Sequence, residues 1–163
     1  MLANKLKGSH IDFYKQKMKV NLATQTISNS VATAIDFCRD ELKLSQFAGS
    51  EETSRFLILF DRLFDIFDSK SYMGNLSKAP MSVDNIREIK VFFEYATLYI
   101  KKITTSDGKS ILKSQRKTAF IGYLGNMKAL LIIFDRLVLT GKLSKILTYK
   151  MSQDHIELFF WQH

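Results

Sequence analysis

The chain has 163 residues, 46% of them hydrophobic, and a formal net charge of +8, which suits a folded domain and argues against a disordered chain. One proline and seven glycines are few for an all-β fold with many tight turns, so we expect a mainly α protein. A single cysteine, Cys38, excludes an internal disulfide. With no apolar segment at the N-terminus and no run of about 18 apolar residues, we expect no secretion and no membrane partner.

Helical periodicity dominates the chain, because apolar residues recur every three or four positions in four stretches, at 20–42, 56–67, 86–100 and 120–137. We expect the first stretch to be one continuous helix of about 25 residues. Ser50 and Ser82 are placed to start the second and third helices, and Gly141 is placed to end the fourth. The stretch before Gln16 is expected to be irregular, and 104–110 to be a surface turn.

The last stretch combines two carboxylates with an apolar run. Ser152 is placed to cap a helix, preceded by a short extended stretch, so that Asp154 and Glu157 lie in its first turns near the positive end of the dipole. Such carboxylates suit a metal-binding or nucleotide-binding role, and they equally suit the general stabilisation of a helix start.

The remaining motifs exclude several familiar sites. Residues 107–110 end like a phosphate-binding P-loop, but Ile103 stands where that loop requires glycine. The three histidines show no metal-ligand spacing. The basic excess suits a polyanionic partner such as DNA, RNA or a nucleotide phosphate, and a solvated basic surface would explain it equally well.

Four blocks resemble P-element-type transposases, the group that includes the THAP-domain transposases, and they occur in the family's order. They are KMKVNLATQTISNSVATAI at 17–35, FDRLFDIFDS at 60–69, KSQRKTAFIGYLGNMKAL at 113–130 and SQDHIELFF at 152–160. The resemblance implies that residues 1–146 form the helical GTP-binding insertion domain of that family. Residues 147–163 would then be a short, truncated stub of its C-terminal RNase H-like catalytic segment.

The resemblance also implies a guanine-nucleotide site without a P-loop. Lysines would neutralise the phosphates, Ser28 would donate to a phosphate from the same helix as Val20, and Asp65 would accept hydrogen bonds from the guanine edge. The family often has asparagine at the position of Asp68, which here loses an amide donor and adds a charge. The residues that match nucleotide-contacting positions are Lys5, Lys19, Val20, Ser28, Asp65, Asp68 and Asp154.

Glu157 matches the last carboxylate of the family's catalytic DDE set, which holds divalent metal ions such as Mg²⁺ during DNA cleavage. One carboxylate cannot hold both metals, and in the family the first two acids precede the insertion domain. We therefore expect a fragment with no transposition or nuclease activity by itself. Its expected partners are a guanine nucleotide, the DNA of the parent transposase and a full-length transposase, in the nucleus or the cytoplasm.

Two alternatives remain open at this point. The chain could be a ligand-free helical relic or interaction domain that only keeps the ancestral fold. It could instead be a basic DNA-binding module in which Lys113, Arg116 and Lys117 contact phosphates, with binding that weakens steeply with salt. A preference for GTP over ATP would separate the nucleotide-binding hypothesis from both.

Overall fold

A computed structural model describes residues 6–16, 20–71 and 78–151, and the chain divides into two compact units, Met1–Asp68 and Ser69–His163. The prediction of a mainly α fold is confirmed. The first unit contains α1 (Gly8–Ile11), α2 (Val20–Thr26), α3 (Asn29–Asp40) and α4 (Glu51–Phe67), with 3₁₀ turns at Phe13–Gln16 and Ser45–Phe47. The second contains β1 (Met81–Ser82), α5 (Ile86–Lys102), α6 (Lys117–Leu137) and β2 (Lys145–Ile146), with 3₁₀ turns at Ile111–Lys113 and Thr148–Met151.

The prediction of one continuous first helix is wrong, because the helix is interrupted at Ile27 and Ser28, which separate α2 from α3. Ser28 is extended, with φ −140° and ψ 152°, and its Oγ accepts a hydrogen bond from the Val31 amide as the N-cap of α3. Serine competes well for a helix amide at such a position, which stabilises a new helix start. The spacing of apolar residues continues unchanged across this interruption, so the sequence pattern did not indicate that one helix ends and another begins there.

Helices α3 and α4 pack together through a small apolar core. Val31 and Ala32 of α3 contact Leu57 of α4, and Ile27, Ile35 and Phe56 are partly buried around them. The rest of the inward face of α4 is also buried, including Leu59, Phe60, Leu63 and Ile66. Helix α4 begins at Glu51, next to the predicted Ser50, but the Ser50 side chain caps no amide of α4.

In the second unit, the two strands pair antiparallel, with Met81 opposite Ile146 and Ser82 opposite Lys145. Ser82 therefore does not start α5 as predicted. Asn85 precedes the helix, and its Oδ1 accepts a hydrogen bond from the Ser82 amide at 2.9 Å. The short extended stretch predicted before the helix of Asp154 and Glu157 is confirmed as β2. The helix predicted at Ser152 lies outside the described residues, and the boundary between 146 and 147 stays a prediction.

The segment between α5 and α6 folds back on itself. Thr104 and Ser110 form an antiparallel bridge, and the Ile111 amide donates to the Ile103 carbonyl at 2.9 Å. Gly108 has φ +76°, the left-handed conformation that glycine adopts without strain. The predicted turn and the fourth helix are thus confirmed, with Gly141, at φ +75°, just beyond the end of α6. The stretch before Gln16, predicted to be irregular, instead contains α1 and a 3₁₀ turn.

Within the described ranges, α6 alone is long and apolar enough to cross a membrane by length and composition. Soluble proteins also contain such helices, so this finding is weak support for a membrane span. The predicted lack of a membrane partner stays a prediction.

Candidate functional site

The start of α3 lies beside the middle of α4. The Asn29 amide, the first of α3, donates a hydrogen bond to Oδ2 of Asp61 at 3.1 Å. This bond satisfies one of the amides that a helix start leaves without an intrahelical partner. It also places Ser28, which precedes Asn29, next to the face of α4 on which Asp61 lies.

Two further aspartates share this face of α4. Asp61, Asp65 and Asp68 are spaced by four and three residues, so they lie on one side of the helix. Asp65 is one turn, about 6 Å along the axis, beyond Asp61. Asp65 and Asp68 are both half-buried, and Asp68 ends the helix with its amide donating to the Phe64 carbonyl at 2.8 Å. We call these three residues the aspartate face.

Ser28 is already engaged in local hydrogen bonds. Its hydroxyl donates to the Gln25 carbonyl at 2.9 Å, and its Oγ accepts from the Val31 amide at 3.4 Å. A hydrogen bond from Ser28 to a phosphate would therefore have to replace the one to Gln25. Val20, the first residue of α2, is 64% exposed. The prediction that Val20 and Ser28 share one helix is wrong, because Ser28 caps the next one.

The other predicted site residues cannot be placed. Lys5, Lys19, Asp154 and Glu157 lie outside the described residues. The structure therefore places the start of α3, which Ser28 caps, beside Asp61, and Asp65 and Asp68 follow Asp61 on the same side of α4. That these residues form a nucleotide site stays a prediction, as it does for the other members.

Asp61 was missed by the sequence analysis. A signal for it was present in FDRLFDIFDS, where Asp61, Asp65 and Asp68 have the spacing of a single helix face. The identity of its partner, the amide of Asn29, depends on how α3 packs on α4. The sequence contains no direct sign of that packing.

Arg39 is surrounded by carboxylates at the other end of α3. Its guanidinium lies 2.9 Å from Asp36, 2.7 Å from Asp40 and 3.6 Å from Glu51, and it donates to Ser50 Oγ at 3.4 Å. The hydrogen bond from Arg39 lowers the pKa of Asp40 below its ordinary value, and the same bond raises the pKa of Arg39. Arg39 therefore links the end of α3 to the start of α4, and its charge is paired with the carboxylates there.

Carboxylates on α4 can act as hydrogen-bond acceptors for a ligand that presents neighbouring N–H groups. Their arrangement is different from a metal site. Among the residues that the structure describes, no three His, Cys, Asp or Glu side chains are grouped so that they could hold a metal ion. Glu157, the predicted Mg²⁺ ligand, lies outside those residues.

Comparison with known proteins gives three similarities. A family model described as the TNP-like, GTP-binding insertion domain matches residues 1–80. The human DNA transposase THAP9 is 36% identical over 145 residues, which are 87% of this chain and 16% of that protein. The chain also superposes on the Drosophila P element transposase strand transfer complex with a TM-score of 0.73 at 26% identity, covering 97% of this chain and 34% of that one. It thus spans about a sixth of one relative and a third of the other.

These similarities confirm the resemblance carried by the four sequence blocks, and they agree with the observed helical fold. The family-model match contains the whole first unit, in which Ser28 and the aspartate face lie.

Proposed function

We propose, from the premise that this chain belongs to the P-element-type transposases and carries their GTP-binding insertion domain, that its first unit binds a guanine nucleotide. The binding surface would consist of the start of α3 and the aspartate face of α4. The observation that carries the proposal is the hydrogen bond from the Asn29 amide to Asp61. It fixes the start of α3 against the helix that carries Asp65 and Asp68.

Asp65 would determine the choice of base. Guanine presents two neighbouring donors, N1–H and the N2 amino group, which one carboxylate can accept together. Adenine presents an unprotonated N1 at the same place, and that atom would repel the carboxylate. We therefore expect a preference for GTP over ATP that depends on the charge of Asp65.

The phosphates would be bound by cations and by the Ser28 region. Lys5 and Lys19 would neutralise their charge, Asp154 would lie near the nucleotide, and Val20 would contact it from the exposed start of α2. Asp68 adds a negative charge where the family often has an amide. This substitution would weaken binding without changing the choice of base, since Asp65 alone can accept both guanine donors.

In this proposal the nucleotide acts as a bound cofactor, and the chain does not hydrolyse it. Glu157 would contribute one metal-binding carboxylate, for Mg²⁺, to a catalytic set completed by acids elsewhere in a full transposase. We therefore propose no strand cleavage or transfer by this chain without such a partner. Its place of action would be the nucleus or the cytoplasm, together with DNA and a full-length transposase.

The test is calorimetric titration of the purified chain with GTP and Mg²⁺, with ATP as the nucleotide control. Asp65→Asn keeps the shape of the side chain but replaces one acceptor oxygen by a donor. We expect it to weaken GTP binding roughly 10- to 100-fold, the range for loss of a bidentate contact to a base. Glu52→Gln, an exposed charge removal on the same helix, should leave binding unchanged.

Lys19→Ala should weaken GTP and ATP alike, because it acts on the phosphates. If GTP and ATP bound equally well to the unsubstituted chain, the role of Asp65 would be wrong. If neither bound, the chain would be a ligand-free helical relic or interaction domain, the principal alternative.

A further inference from the structure

Helix α2 connects two of the predicted nucleotide contacts, but it is short. Val20 is its first residue, and Ser28 follows two positions after its last. The helix has seven residues, fewer than the roughly 12–15 that an isolated helix needs to be stable in water. The position of α2, and with it the positions of Val20 and Ser28, therefore depends on the elements that pack against it.

Helix α1 provides one of these contacts through His10. The two helices pack together, and Nε2 of His10 lies 3.0 Å from Oε1 of Gln25. Both side chains are half-buried. The bond joins residues that are 15 positions apart in the sequence, so it fixes one helix on the other and does not act within either helix.

Both ring nitrogens of His10 are used. Oε1 of Gln25 can only accept a hydrogen bond, so Nε2 carries the proton and donates it. In a neutral imidazole, Nδ1 is then an acceptor, and the Lys7 amide donates to it at 2.9 Å. His10 thus bonds the backbone at the start of α1 with one nitrogen and holds α1 on α2 with the other.

Gln25 connects this bond to the start of α3. Its carbonyl accepts the Ser28 hydroxyl at 2.9 Å, and Ser28 in turn caps α3 by accepting from the Val31 amide. The next residue, Asn29, donates its amide to Asp61. Hydrogen bonds and short pieces of backbone therefore connect α1, through the end of α2, to the face of α4 on which Asp61 lies.

We propose that His10 is a positioning residue for the nucleotide phosphates. Acting through Gln25, it holds the end of α2 so that the Ser28 hydroxyl lies where the phosphates bind. This inference rests on the proposed function, and His10 itself would not contact the nucleotide. Without the bond, the nucleotide would have to order α2 on binding, which lowers affinity. In the proposed function Asp65 on α4 recognises the base, so the choice of base should not depend on His10.

Two substitutions separate the two hydrogen bonds of His10. In His10→Gln, the side-chain amide nitrogen can take the place of Nε2, so the bond to Gln25 is kept and the bond from the Lys7 amide is lost. In His10→Asn, the shorter amide can put its oxygen in the place of Nδ1, which keeps the Lys7 bond and loses the Gln25 bond. The full chain with each substitution is titrated calorimetrically with GTP and with ATP, in the presence of Mg²⁺. Thermal unfolding checks that each variant is folded at the titration temperature.

We expect His10→Asn to weaken GTP binding roughly 3- to 10-fold, the range for loss of one neutral hydrogen bond. ATP binding should weaken by the same factor, so the ratio of the two affinities should not change. His10→Gln should keep most of the affinity. Gln25→Met, which removes the acceptor, should match His10→Asn, and the double variant should be little weaker than either single variant. Gln46→Met, at an exposed glutamine of the same unit, should have no effect.

Equal losses of affinity in His10→Gln and His10→Asn would overturn the proposal, because the bond to Gln25 would then not matter. A lower unfolding temperature with unchanged GTP affinity in His10→Asn would mean a purely structural role and would also overturn it. GTP binding that Asp65→Asn weakens and His10→Asn does not would refute only the present proposal. A chain that binds no GTP would refute the proposed function and this inference with it.

Discussion

The two units of the chain carry their charges differently. The first is electrically balanced, and its central cation, Arg39, contacts three carboxylates that join α3 to α4. The second has fifteen basic and seven acidic residues, an excess of eight positive charges. In the described part of the chain, five exposed cations where α5 ends and α6 begins form no salt bridge: Lys101, Lys102, Lys113, Arg116 and Lys117. The Arg39 pairs link two helices of the first unit, whereas an excess of charges of one sign favours a partner of the opposite charge.

The two units differ in charge, but we expect both to be stabilised by comparable apolar cores. Substitutions in these cores should have the largest effects. Leu63 of α4 and Phe134 of α6 are both completely buried. Leu63→Ala should cost about 2–5 kcal/mol of unfolding free energy and Phe134→Ala about 3–5 kcal/mol, because each leaves a cavity. Urea unfolding measures both.

The matched controls for these substitutions are Ile58→Ala and Ile132→Ala, at exposed positions on the same two helices. Each should cost less than about 1 kcal/mol. A large loss in one unit and a negligible loss in the other would show that the two units are not held by comparable cores.

Arg39→Met should lower the stability of the first unit more than Arg55→Met. The first substitution removes the guanidinium that Asp36, Asp40 and Glu51 share and leaves Lys43 as a cation acting on Asp40. Within the described ranges, Arg55 forms a salt bridge with Glu52 at the surface. Hydrogen exchange of the α3 and α4 amides measures the difference. Equal effects would mean that Arg39 is an ordinary surface residue and that the charge contrast between the units has no structural consequence.

The Arg39 cluster also predicts a pH dependence. The pKa of Asp40 is lowered in the folded chain, so the unfolded chain binds protons more readily there. The stabilisation is therefore fully present above the ordinary carboxylate pKa, near 4, and is lost as the pH falls through the lower folded value. Thermal unfolding between pH 6 and about 2 should show a smaller acid loss in Arg39→Met than in the unsubstituted chain, and an unchanged profile would contradict this cause.

The sequence predicted those parts of the structure that depend on local pattern. Helices α4, α5 and α6 follow from uninterrupted apolar periodicity. The turn at residues 104–110 follows from its glycine and polar residues. The break at Ser28 was missed, because a cap changes the backbone without changing the spacing of apolar residues. Ser82 looked like a helix cap, but its pairing with Lys145, which is distant in sequence, holds it in a strand.

The candidate site was predictable only in part, for the same reason. Family resemblance pointed to Ser28, Asp65 and Asp68, but Asp61 acquires its role through packing of α3 on α4. The cations before and at the start of α6 were visible in the sequence as Lys113, Arg116 and Lys117. The contribution of Lys101 and Lys102 requires the closed segment that places the end of α5 beside them.

The smallest expected effects concern two serines of the first unit. Ser54 is 3% exposed, and its Oγ has no hydrogen-bond partner within the described ranges. Asp36 Oδ1 also lacks a hydrogen bond but lies 2.9 Å from the Arg39 guanidinium, so its charge is paired. Ser54→Ala removes an unsatisfied hydroxyl from a helix interior and should stabilise the chain by up to about 1 kcal/mol.

Ser28→Ala also removes a hydroxyl, but one that forms hydrogen bonds. It removes the cap of α3 and should cost about 0.5–2 kcal/mol. Urea unfolding of the two variants should therefore give shifts of opposite sign. A loss of stability in Ser54→Ala would mean that the Ser54 hydroxyl has a partner, such as a buried water molecule, since a buried hydroxyl that is lost at a cost must have been bonded.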